Sequence, residues 1–63
     1  MKKITVRNLA DYAIDYDYIV VNVDSETGDR WFYGAWNTLE GCSEAIAEVD
    51  FREVLRHDEI EWG

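Results

Sequence analysis

Cys42 and His57 are the only thiol and the only imidazole in this 63-residue sequence, so any chemistry that needs either group must use these two. A thiol–imidazole pair works when the thiol is partly exposed and its base is within hydrogen-bond reach. Cys42 instead shares helical spacing with Leu39, Ala45, Ile46 and Val49, an apolar stripe on which a thiol is buried and inert. Structural zinc takes four Cys or His ligands, which this composition does not supply, and a lone cysteine cannot close a disulfide within the chain. The run Asp24-x-Glu26-x-Gly28 has the opening of a calcium loop. It departs from that template twice, with Gly28 one place early and Ala35 where a bidentate Glu belongs. A hairpin turn is its expected role.

Paired carboxylates are uninformative among 14 Asp and Glu residues. General acid–base work needs one carboxyl held in an apolar pocket, and nothing singles such a residue out. No glycine-rich phosphate loop is present. The expectation is a non-enzyme with no cofactor and no metal.

The distribution of charge says more than its total of −8. Residues 32–63 carry Arg52 and Arg56 against eight carboxylates, whereas residues 1–31 carry four cations against six. Direct contact with nucleic acid or an anionic membrane is disfavoured, because both need clustered Lys and Arg. A basic protein surface is the favoured partner. No apolar stretch approaches the ~20 residues of a membrane span, and no signal-peptide apolar region follows the basic start, so a cytoplasmic location is expected.

Local patterning predicts the strands and helix that carry these groups. The alternation in residues 3–7 predicts a strand with Ile4 and Val6 inward. Residues 8–13 predict a turn or short helix that Asn8 could cap. Residues 16–23 and 30–36, rich in β-branched and aromatic side chains, flank a polar segment containing Gly28 and predict a β-hairpin. Both hairpin strands carry large residues on both faces, with Phe32 and Trp36 expected opposite Trp31 and Tyr33. Residues 39–49 predict one amphipathic helix behind Thr38 as N-cap. Beyond Val49 the apolar pattern breaks. Residues 51–57 read either as a short helix, opened by a capping box at Asp50 with Phe51, Val54 and Leu55 inward, or as a strand. The sum is a single small α+β domain, an antiparallel sheet packed by one helix.

Two features exceed what folding asks for. Glu40, Glu44 and Glu48 form a row of like charges at i, i+4, a spacing that destabilises a helix by about 0.2–0.5 kcal/mol per pair. Arg52 relieves it only if the helix continues. The stretch Asp11-Tyr12-Ala13-Ile14-Asp15-Tyr16-Asp17-Tyr18 interleaves carboxylates with rings, suited to Lys and Arg through ion pairs and cation–π contacts. These residues, with Trp31 and Tyr33 of the hairpin, are the candidate partner-binding set. In size and charge alone the chain resembles small acidic inhibitors of phage and mobile-element origin. That resemblance implies a protein–protein interaction module that masks a basic, nucleic-acid-binding surface. The alternative is a homodimer built on the aromatic hairpin, with acidity serving only solubility.

Overall fold

The computed structural model describes residues 2–62. Its strands are β1 (Val6–Arg7), β2 (Tyr18–Val23), β3 (Arg30–Trp36) and β4 (Arg52–Arg56), and the helix α1 (Leu39–Glu48) lies between β3 and β4. Single 3-10 turns occupy Asp11–Asp15 and His57–Glu59. The sheet order is β1-β3-β2-β4, a small α+β fold of the kind the patterning predicts. The apolar run Ile19-Val20-Val21 takes the centre, and all three side chains are fully buried.

Three expectations change, and one open alternative is decided. The strand expected over residues 3–7 is reduced to Val6–Arg7, and it pairs with β3 in parallel, so the sheet is mixed. The hairpin strand begins at Tyr18, because the Tyr16 N–H bonds back to the Ala13 carbonyl and closes a 3-10 turn. Asn8 caps no helix; it sits at φ 58°, and Ala10 precedes the 3-10 turn without a side-chain cap. Residues 52–56 form a strand and not the short helix, because the second edge of β2 takes them in register from Asn22–Arg52 to Tyr18–Arg56. A strand sends Val54 and Leu55 to opposite faces, and Phe51, expected inward, is 51% exposed.

The register shifts between Val20, opposite Gly34, and Val21, opposite Phe32. Tyr33 is therefore the extra residue of a β-bulge, which shifts the alternation of β3 by one place. Phe32 packs with the cluster of Val6, Ala13, Ile19, Val21, Leu55 and Ile60 on one face. Trp36 packs with Val20, Cys42 and Ala45 on the other, beneath α1. The sequence periodicity put Phe32 and Trp36 together; the bulge separates them.

The Trp36 ring sets how α1 lies. A Cβ on Gly34 would stand 2.7 Å from the far edge of this ring, and a Cβ on Gly41 would stand 2.7 Å from its near edge. Two glycines, one in the sheet and one in the helix, thus admit the indole between the layers. Seating it turns the helix away from its most apolar arc. Leu39 and Ile46, expected inward, are 59% and 38% exposed.

The face opposite α1 is covered by the chain itself. Ile4 pairs in parallel with Ile60, through the Ile4 N–H to Glu59 O (2.8 Å) and the Glu61 N–H to Ile4 O (2.9 Å). Trp62 then lies against this face, its indole N–H donating to His57 O at 2.8 Å. Among the described residues no helix is long and apolar enough to cross a membrane.

This packing predicts an inversion of helix propensity. Ala in place of an exposed helical Gly gains about 1 kcal/mol. Gly41→Ala should instead lose about 1–3 kcal/mol, because the added methyl meets the root of Trp36, which cannot swing aside. Urea unfolding checks it, and a stabilised variant would refute the wedge.

Candidate functional site

The glutamate row divides. Thr38 caps α1, its hydroxyl accepting from the Gly41 N–H at 3.1 Å. From that end Glu40 and Glu44 stand exposed, with no ion pair among the described residues. Glu48 meets Arg52 at 2.7 Å. The helix has already ended there, so the cation comes from β4 and not from a further helical turn. The expectation that relief required a longer helix is corrected by the chain turning back at Asp50.

Arg52 is the most connected polar residue of the α1 face. Its Nε donates to Asn22 Oδ1 at 2.9 Å, and its Nη1 donates to Ala45 O at 2.8 Å and to Glu48. The guanidinium carbon lies 3.7 Å from the centre of the Tyr33 ring. A cation on the last carbonyls of a helix also suits the negative end of its dipole. Arg52 therefore terminates α1, ties it to β2 and covers the bulged tyrosine. The i, i+4 spacing to Glu48 was a visible signal, but the folded-back path that realises it was not.

The aspartate–tyrosine stretch is a 3-10 turn followed by a strand, and its residues part company. Ala13 is buried and anchors the turn, while Asp11, Tyr12, Asp15 and Asp17 are exposed. Tyr12 meets Tyr16 and Phe32 edge-on, each at 6.0 Å, on the face covered by the chain ends. Tyr18 lies on the other face, packed with Val20 and Trp36 near α1. Trp31 and Tyr33 share that face, but Arg7 lies over Trp31 at 5.7 Å as Arg52 does over Tyr33. The chain's own arginines occupy these two π-faces. The expected aromatic set is thus three separate groups, and Trp31 and Tyr33 stay 39% and 42% exposed beside their arginines.

Register nevertheless gathers several carboxylates. Tyr18, Trp36 and Arg56 lie level at one end of the sheet, and α1 starts three residues after Trp36. Asp15 and Asp17 lead into this end and Glu40 departs from it. A shallow open recess here is lined by Asp17, Tyr18, Arg56, His57 and Asp58.

The thiol and the imidazole lie apart. Cys42 is fully buried under α1, its thiol 3.4 Å from Thr38 O. Strand alternation places His57 on the opposite face, stacked on Trp62 at 4.9 Å. The Asp24 carboxylate accepts the Glu26 and Thr27 N–H groups at 2.8 and 3.2 Å, and Gly28 adopts φ 78°, so this loop is a hairpin turn. No three His, Cys, Asp or Glu side chains among the described residues converge as metal ligands would.

Two outcomes follow. Arg52→Ala should cost about 2 kcal/mol, since it strips a largely buried donor from three acceptors, whereas Glu48→Gln should cost under about 1 kcal/mol because that carboxylate is exposed. Chemical denaturation of both variants checks the ratio. Burial pushes the Cys42 thiol above its ordinary 9.0. The unfolded chain then loses this proton first as pH rises, so this contribution to stability declines above about pH 9. Cys42→Ala should flatten that part of the decline in melting curves taken between roughly pH 8 and 10.

Comparison with protein-family models, curated proteins and solved structures finds no match to this chain.

Proposed function

We propose that this protein is a small acidic interaction module that binds a basic surface of a partner protein and so masks a site for nucleic acid. The observation that carries the reading is the pair Glu40 and Glu44. They stand exposed on one side of α1 with their mutual repulsion unrelieved, while Glu48, Asp29 and Glu53 each have a cation of the chain. Four of the chain's six cations line a single recess with Gly28 and Asp29, at the hairpin-turn end of β3 and distant in register from the start of α1. At the other end, where Asp17 leads into the sheet and α1 starts, Arg56 lines the recess, and Lys3 reaches its border at the Asp58 carbonyl.

Helical carboxylates one turn apart, about 6 Å, suit the spacing of Lys and Arg on a surface that holds phosphates. Glu40 and Glu44 supply the helical part of this interface, with Asp17 beside Tyr18 at the sheet end from which α1 departs. Tyr12 lies with Tyr16 and Phe32 on the face opposite α1, outside this interface. Trp31 and Tyr33 stay with their own arginines.

The test is a charge reversal. Glu40→Lys/Glu44→Lys leaves the core and the Arg52 network untouched, so the melting temperature should hold within a few degrees. Capture from native lysate at low salt should recover a basic protein with the wild-type chain and lose it with the double variant. Rising salt should release it as well. Recovery of the same protein by the reversed variant would defeat the proposal.

A further inference from the structure

β4 forms one edge of the sheet. The Val23 N–H bonds to Phe51 O at 2.7 Å and the His57 N–H bonds to Asp17 O at 2.9 Å, which fixes the parity of the ladder. Glu53 and Leu55 bond inward to β2, and the N–H and C=O groups of Arg52, Val54 and Arg56 point outward. Glu59 takes the Arg56 N–H with its carboxylate at 2.8 Å. Arg52 and Val54 keep a free donor and acceptor each among the described backbone groups.

Natural edges are guarded by charge, proline or a covering segment. This one carries the exposed charges of Glu53 and Arg56, but it is also bordered by exposed apolar side chains on both faces. Strand alternation puts Phe51, 51% exposed, on the face opposite α1. Leu39 and Ile46 stand on the flank of α1 opposite Gly41, hence away from Trp36 and towards β4.

We propose that β4 accepts a fifth strand, an extended segment of a partner protein in which apolar residues alternate with Lys or Arg. Only an extended main chain matches the row of outward donors and acceptors. Apolar side chains of that segment lie beside Val54 under Leu39 and Ile46. Its cation lies opposite Glu53, whose side chain is 45% exposed and gives one oxygen to Arg30. A chain of net charge −8 favours the same sign.

A second copy of this chain is a poorer occupant. An antiparallel pair centred on Val54 sets Arg52 against Arg56 of the second copy, and one centred on Glu53 sets the two Glu53 side chains face to face. A pair centred on Leu55 needs the Arg56 N–H, which Glu59 holds.

The proposal does not depend on Glu40 or Glu44, and the experiment separates the two. A synthetic library of eight-residue peptides is selected on the full chain, and the recovered sequences are bound to four proteins: wild type, Val54→Pro, Ile46→Lys and Glu40→Lys/Glu44→Lys. Proline at Val54 removes an outward N–H and no bond within the sheet, and since Val54 also packs against the Val20, Cys42 and Ala45 cluster, a melting curve checks that this variant is folded. Recovered peptides should alternate apolar and cationic residues and bind one to one. Amide exchange at Arg52 and Val54 of the wild-type chain should slow at least tenfold on binding. Affinity should fall at least tenfold with Val54→Pro and with Ile46→Lys, and should change less than threefold with the double glutamate variant. Failure to recover any alternating peptide, equal binding to Val54→Pro, or unchanged exchange at Arg52 and Val54 overturns the proposal. Selection of peptides that lose affinity only with the glutamate variant does so too, and assigns them to α1.

Discussion

The seating of one indole between two glycines governs this molecule. Trp36 ends β3, lies across Gly34 and reaches the first turn of α1 at Gly41. A side chain at either glycine would hold the helix away from the sheet by about the width of a methyl group. With both absent, the layers close on Val20, Cys42 and Ala45, and the helix adopts the rotation that the ring permits. That rotation leaves Leu39 and Ile46 outside and brings Glu48 to the side where Arg52 waits. Exposed apolar groups on one flank of α1 and a satisfied cation at its C-terminus have a single steric origin.

Small size explains the rest of the economy. A domain of about 60 residues buries too little surface to leave a sheet face open. Here α1 covers one face and the chain ends cover the other, joined by the Ile4–Ile60 bridge. Closing the two ends on each other turns residues that would fray into part of the larger core, where Ile60 is 2% exposed. The carboxylates contribute at the surface only, as Glu61 does in accepting from the Thr5 hydroxyl at 3.3 Å. Among the described residues each ion pair borrows one arginine, and the core excludes buried charge altogether.

Much of the fold was legible along the chain. β-branched runs marked β2, the polar turn with Gly28 marked the hairpin, and Thr38 marked the start of α1. Each depends on contacts within a few residues. The elements misread or left open depend on partners far away. Residues 52–56 have helical and extended readings of similar local merit, and only the vacant edge of β2 decides between them. Alternation along β3 was read without the bulge at Tyr33, which no residue type announces. Parity therefore failed at Trp36, the side chain on which the helix turns. Of the candidate site, Glu40 and Glu44 were legible because periodicity separates them from the apolar stripe. The aromatic members were not, since backbone turns divided them between two faces.

The sequence by itself determined the acidity, the helix and hairpin and the burial of Cys42, because composition and local spacing are enough for these. Tertiary structure alone decided which carboxylates stay unpaired, which rings stay uncovered and which strand edge stays open. Those outcomes depend on where Arg7 and Arg52 end up after the chain turns back, and a side chain 30 residues from its acceptor, as Arg52 is from Asn22, leaves no periodic trace.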